Sequence, residues 1–284
     1  MRGRQAAAPN RTAFCTFAPN EMNMKKPLIL VTNDDGINAP GIEALVEVAS
    51  ELGEVVVVAP DSPQSGQGHA ITISKPIWLK KVEVFDGIDS YECTGTPVDC
   101  VKLAKYVILK DRNPDLCVSG INHGSNASIN IIYSGTMSAA MEASLEGINS
   151  IGFSLLNYGW DADFSATKVF VREIMARVLE RGMGSTKLLN VNVPDLPESE
   201  IKGIRICRQA DGRWVEGYME SKDPRGKPYY WLSGEFVNPD KGEDTDLWAL
   251  ENGYVSVVPS DHDLTNYKAI PELEFLAMDK SVVR

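Results

Sequence analysis

Pro27-Leu-Ile-Leu-Val-Thr-Asn-Asp-Asp-Gly36 decides how the rest of the chain is read. Residues 27–32 are apolar on consecutive positions, the pattern of a short strand buried on both faces. The strand stops at two adjacent carboxylates and a glycine that permits a tight turn. Open α/β sheets bind ligands at the carboxyl ends of their parallel strands, so Asp34 and Asp35 stand where such a fold does chemistry. Adjacent like charges raise each other's pKa unless a cation is shared. That favours a divalent metal; the alternative is a solvated turn with Asp35 capping a helix.

Outward from this stretch, short β-branched runs alternate with helical periodicity, as in βαβ units. Glu54–Ala59, Asp115–Ser119 and Ser150–Leu155 read as further strands. Gly41–Leu52 places Ile42, Leu45, Val46 and Ala49 on one helical face. A second helix starts at Thr96, where an N-cap Thr, Pro97 and Asp99 combine three start signals. Others are expected over Gly135–Leu145 and Ala166–Glu180. The result is a layered α/β sandwich with a mostly parallel sheet.

Two loops end near the same sheet edge. Pro60–His69 contains Ser62, Gln64 and Ser65 and is too long for a plain connector; Gly120–Asn126 carries Asn122, His123, Gly124 and Asn126. With Asp34 and Asp35 they offer carboxylate, hydroxyl and amide oxygens, a donor set for a hard cation such as Mg²⁺ or Mn²⁺ rather than zinc. Ser134, Gly135 and Thr136 open a helix, where free amides and hydroxyls can hold a phosphate or serve as ordinary caps. His69, His123 and His262 are secondary candidates, each read as a surface residue first.

Composition narrows the classes. The 284 residues are 43% hydrophobic and 24% charged, ordinary for a globule with a real core. Twenty-eight Lys and Arg against 39 Asp and Glu leave no broad basic face for a nucleic-acid polymer. No stretch approaches the roughly 20 apolar residues that span a bilayer. Five scattered cysteines without a CxxC pair read as free thiols in a reducing cytoplasm. Residues 1–23 combine Arg2, Arg4 and Arg11 with Ala, Pro, Asn and Thr but no apolar segment, so a secretory signal is not expected and an organelle transit peptide is the other reading. We expect a mobile extension, with Met24 as the functional start.

The C-terminal third changes character. Trp214, Tyr218, Tyr229, Tyr230 and Trp231 flank the turn signal Asp223-Pro224-Arg225-Gly226 and read as a long aromatic hairpin that folds back or, more in keeping with the instability of lone hairpins, reaches a second subunit. Asp240, Glu243, Asp244 and Asp246 read as a solvated acidic loop.

These residues together resemble one family. Ile29–Gly36 with Gly41-Ile42, Ala59-Pro60-Asp61 with Ser65, Thr94–Val101, Val118–Asn122 with Gly124 and Asn126, and Ser134-Gly135-Thr136 resemble the stationary-phase survival protein SurE family. Asn190–Pro194, Tyr229–Trp231, Gly253–Ser256 and Asp263-Leu264-Thr265 extend the resemblance over nearly everything after Met24. It implies a Rossmann-like three-layer α/β/α sandwich with a catalytic core over 24–205, and an oligomerisation hairpin and tail over 206–284. It also implies a phosphohydrolase of the 5'-nucleotidase type that acts on nucleoside 5'-monophosphates, with 3'-monophosphates and short polyphosphate as further substrates. One Mg²⁺ or Mn²⁺ per subunit would be held by Asp34, Asp35, Ser65 and Asn122, with Asp34, Asp35 and Asn122 catalytic and Gly124, Asn126, Ser134, Gly135 and Thr136 gripping phosphate. A homodimer or tetramer would form by hairpin exchange. A haloacid-dehalogenase phosphatase would instead carry its second Asp at the position of Gly36. Asp261 stands where many members have a His, and His123 where many have a basic residue, so the alternative is a nucleotide-binding protein of the same fold without turnover.

Overall fold

The computed structural model describes residues 26–277; the extension over 1–23 and its expected start at Met24 lie outside them. In chain order the elements are β1 (Leu28–Thr32), α1 (Pro40–Leu52), β2 (Glu54–Pro60), β3 (Leu79–Val82), β4 (Asp89–Cys93), α2 (Pro97–Leu103), β5 (Leu116–His123), α3 (Gly135–Leu145), β6 (Ser150–Leu155) and α4 (Ser165–Arg181). There follow β7 (Leu188–Val193), β8 (Ile204–Ile206), β9 (Arg213–Lys222), β10 (Pro228–Val237), α5 (Asp246–Glu251) and β11 (Val255–Ser260).

Nine strands make one sheet in the order β3-β4-β2-β1-β5-β6-β7-β11-β8. The centre is parallel: Leu30 registers with Val56 on one side and Cys117 on the other. Within this sheet only the β3–β4 and β11–β7 pairs are antiparallel. Ile29 and Val31 face α1 and α4, whereas Leu28 and Leu30 face α2 and α3. Two-sided burial explains the continuous apolar runs and completes an α/β/α sandwich, in which each fully buried aliphatic side chain contributes about 1.5–3 kcal/mol.

The expected helix starts are found where their chemistry put them. Thr96 accepts from the Asp99 amide and Asp99 returns a bond to the Thr96 amide, a full capping box, and Ser134 caps α3 through the Met137 amide. Asp35 does not cap α1, whose N-cap is Ala39 without a side-chain bond.

The C-terminal third enters the fold in two ways. β9 and β10 pair from Arg213–Val237 to Lys222–Pro228 as an exposed two-stranded arm. The chain then returns, and β11 inserts between β7 and β8. The acidic run is not uniformly solvated: Asp246 is fully buried and its carboxylate accepts from the amides of Ser128 (2.8 Å) and Ala210 (2.9 Å). Asp240 and Asp244 clamp Arg208. Burial of such a group is tolerable because both carboxylate oxygens find donors. Among the described residues no helix is long and apolar enough to cross a membrane.

Candidate active site

The loops after β1, β2 and β5 and the amino end of α3 surround one cavity of about 460 Å³. Asp34, Asp35, Ser65, Asn122, Gly124, Asn126 and Ser134 all line it; Gly135 and Thr136 stand behind Asp34 instead.

Asp34 is buried, only 4% exposed, rather than on a surface edge. Burial, followed by the Asp35 charge, pushes its carboxyl up to about 6, while the Thr136 hydroxyl and amide pull in the opposite direction. The Thr136 hydroxyl donates to Asp34 Oδ1. A Cβ at position 135 would lie 2.7 Å from the Asp34 Cβ, so only glycine lets α3 approach the carboxylate this closely. Asp35 is half-buried and is also raised by burial, with His123 countering it; the His123 amide lies 3.5 Å from Asp35 Oδ2. Desolvation, more than the like-charge contact expected from the sequence, is what destabilises the ionised pair.

The segment carrying Ser65 runs from β2 to β3 without regular structure, so side chains and single backbone bonds must position it. Gln64 donates its amide to Asp34 O (2.8 Å), Gly68 to Tyr133 O (3.2 Å), and His69 Nε2 meets the Glu142 carboxylate at 2.9 Å. Glu142 is buried on α3 and also takes Lys102; the His69 bond, ahead of Lys102, holds its carboxyl below the usual range.

At the carboxyl end of β5, Asn122 donates Nδ2 to Gly124 O (2.8 Å), which leaves Oδ1 as its acceptor toward a ligand. The Gly124 amide is spent on Leu155 O and the Asn126 amide on Asn192 Oδ1, both at 2.8 Å. Asn126 Nδ2 also binds Ser154 Oγ at 2.8 Å. These two N–H groups are therefore not available to a phosphate, contrary to expectation, and Thr136 serves Asp34. Ser134 Oγ accepts from Met137 N (3.0 Å) and keeps its own proton to donate. His123 is no surface residue: its Nδ1 bonds Gly159 O at 2.8 Å and its ring stacks on Trp160.

Among the described residues no group of three or more His, Cys, Asp and Glu side chains could hold a metal. A cation here would rest on the two carboxylates and the neutral oxygens of Ser65 and Asn122, a hard all-oxygen set. The raised carboxyls fit that role, since a cation restores what desolvation removes. Asn130, Tyr133, Tyr158 and Trp214 also line the cavity and were missed in the sequence. Only Trp214 carried a signal, as an aromatic at the root of the hairpin.

A sequence profile described as Survival protein SurE matches residues 29–216. The chain belongs to the SurE family. It is 59% identical to a protein of Flavobacterium psychrophilum named 5'-nucleotidase SurE, over 90% of this chain and all of that relative. A protein of the same name from Cytophaga hutchinsonii is 60% identical over 88% of this chain and 96% of its own length. The crystal structure of the SurE protein from Aquifex aeolicus superposes with a TM-score of 0.78 at 44% identity, covering 88% of this chain and 99% of that one. Of the two positions expected to depart from many members, His123 lines the cavity, whereas Asp261, with its neighbour His262, is exposed beyond β11 and is not among the lining residues.

Proposed function

We propose that this chain is a divalent-metal-dependent 5'-nucleotidase that hydrolyses nucleoside 5'-monophosphates, with 3'-monophosphates and short polyphosphate as secondary substrates. The observation that carries the reading is the convergence of Asp34 and Asp35 with Ser65, Asn122 and Ser134 on one cavity, in a chain whose relatives at 59–60% identity are named 5'-nucleotidase.

Asp34, Asp35, Ser65 and Asn122 would hold one Mg²⁺ or Mn²⁺. When bound, such a cation supplies the positive charge that phosphate needs and makes water acidic enough to attack near neutral pH. Asp34 is fixed through one oxygen by Thr136, so its other oxygen can orient water and take its proton as the new O–P bond forms, while the bond to the nucleoside oxygen breaks and that oxygen takes up a proton from solvent. Ser134 donates its hydroxyl to a phosphate oxygen, aided by the positive end of α3.

We read 24–205 as the catalytic core and 206–284 as the oligomerisation hairpin and tail. The arm exposes Trp231, Tyr230, Leu232 and Met219, apolar surface that supports exchange between subunits in a homodimer or tetramer. Free buried thiols at Cys93, Cys100, Cys117 and Cys207 support a cytoplasmic setting.

The test is phosphate release from a panel of nucleoside 5'- and 3'-monophosphates by the purified protein, in EDTA and after Mg²⁺ or Mn²⁺ is restored. Release that disappears in EDTA and returns with metal is expected. No release with any metal, from protein that still binds Mn²⁺ and nucleotide, would replace this reading with that of a non-catalytic nucleotide-binding protein.

A further inference from the structure

Asp246, at the amino end of α5, is fully buried yet does not line the catalytic cavity. Its carboxylate is shared among three chain segments: Oδ2 accepts from the Ser128 amide (2.8 Å), and Oδ1 from the amides of Ala210 (2.9 Å) and Leu247 (2.8 Å). Ser128 is fully buried as well and adds a second link, its hydroxyl donating to Ala210 O (2.9 Å) and accepting from the Gly212 amide (3.0 Å). Ser128 opens the helical turn Ser128–Ile132, which runs into Tyr133 and Ser134; Asn130, Tyr133 and Ser134 line the catalytic cavity. Ala210 and Gly212 lead directly into β9 of the arm. We infer that Asp246 and Ser128 are positioning residues for the reaction, which tie the cavity wall over 128–134 to the root of the arm and so place the Ser134 hydroxyl against the phosphate. The inference deepens the nucleotidase reading and rests on it for the substrate.

Three observations carry the assignment. First, Ser128 holds φ at +55°, in the left-handed region that glycine enters freely and a residue with a side chain enters at a cost. Such a conformation persists where the surroundings over-determine it. What serine brings to this position and glycine lacks is the hydroxyl, and both of its bonds go to the arm root. Second, Gly212 passes so close to that hydroxyl that a Cβ there would lie 2.6 Å from Ser128 Oγ and 2.5 Å from Phe236 Cζ, so the arm root is packed onto the wall. Third, the turn's own backbone bonds are local, Asn130 N to Ala127 O at 3.3 Å and Tyr133 N to Asn130 O at 3.1 Å, and do not fix where it stands. Its placement depends on bonds from outside, and besides those of Asp246 and the Ser128 hydroxyl the arm supplies one from Trp214 Nε1 to Asn130 Oδ1 at 2.8 Å.

The test uses Asp246→Asn and Ser128→Ala, singly and together, in the full chain. Asn at 246 keeps the shape of the side chain. Its carbonyl serves best on the side with two donors, Ala210 and Leu247, which turns its NH₂ toward the Ser128 amide and breaks that bond alone. Hydrogen–deuterium exchange over 125–134 should quicken about tenfold in each variant, with β1 and β5 unchanged. KM for AMP should rise about fivefold with kcat little changed, and the double variant should be no worse than the poorer single one, because both substitutions cut the same tie. Quicker exchange with an unchanged KM would leave the pair a structural role only and overturn the positioning one, as would unchanged exchange in both variants. If Asp246→Asn fails to fold, Ser128→Ala, which removes only a hydroxyl, decides by the same two readouts. No phosphate release by the wild type overturns the nucleotidase reading instead, and exchange that is still quickened in the variants then keeps the tie between the wall and the arm root.

Discussion

Asp34 shows how much a single residue's chemistry depends on its surroundings. In the sequence it is half of an exposed acidic pair; in the fold it is buried, bonded by Thr136 and packed against Gly135. Asp34→Asn and Asp35→Asn should each lower kcat by about a hundredfold or more while the protein stays folded, as steady-state kinetics and circular dichroism would show. A near-normal rate in Asp34→Asn would remove it from the mechanism. The raised carboxyl also sets a pH dependence in metal-free protein. Its folded pKa of about 6 lies above the ordinary 3.8, so the native state binds the extra proton, and the stabilisation present below 3.8 is lost as pH rises through 6. The full difference is about 3 kcal/mol. Urea unfolding in EDTA should therefore show the wild type losing stability relative to Asp34→Asn between pH 4 and 8, and parallel curves would refute the assignment.

At the scale of elements, the site is assembled by pieces that regular secondary structure does not hold. The segment carrying Ser65 depends on the amides of Gln64 and Gly68 and on the His69–Glu142 pair. His69→Ala should weaken Mn²⁺ binding about tenfold by calorimetry, because a ligand loses its orientation when its support is removed. Unaltered affinity would mean that the two backbone tethers suffice. Ser134 has two duties, capping α3 and facing the cavity. Ser134→Ala should cost about 1 kcal/mol in urea unfolding and raise KM with kcat little changed, whereas a fall in kcat would show that the hydroxyl acts in the transition state.

For the whole molecule, the arm is the element least explained by its own subunit. Its strands are exposed almost throughout, and an isolated two-stranded hairpin is marginal in water. Replacing residues 217–233 by a two-residue turn keeps Trp214 and Phe236 and removes the exposed apolar tip. Light scattering should report a dimer or tetramer for the intact chain and a monomer for the shortened one, and the same assembly for both would rule out association through the hairpin.

The sequence by itself determined the parts that obey short-range rules. Two-sided burial wrote the continuous runs of β1, β2 and β6, and local capping chemistry marked the starts of α2 and α3. The clustering of Asp34, Asp35, Ser65 and Asn122 was legible because strand carboxyl ends converge in this class of sheet. Tertiary structure alone decided the rest. β3, β4, β8 and β11 are short or weakly patterned and exist because a neighbouring strand offers hydrogen bonds. Asp246 reads as one of four solvated acids until Ser128 and Ala210, remote in sequence, bring their amides to it. The spent amides of Gly124 and Asn126, the burial of Asp34 and the Tyr158–Trp214 walls likewise arise from partners far along the chain. Periodicity and capping record what a residue does to its own few neighbours, whereas desolvation and hydrogen-bond satisfaction depend on which distant groups the fold delivers.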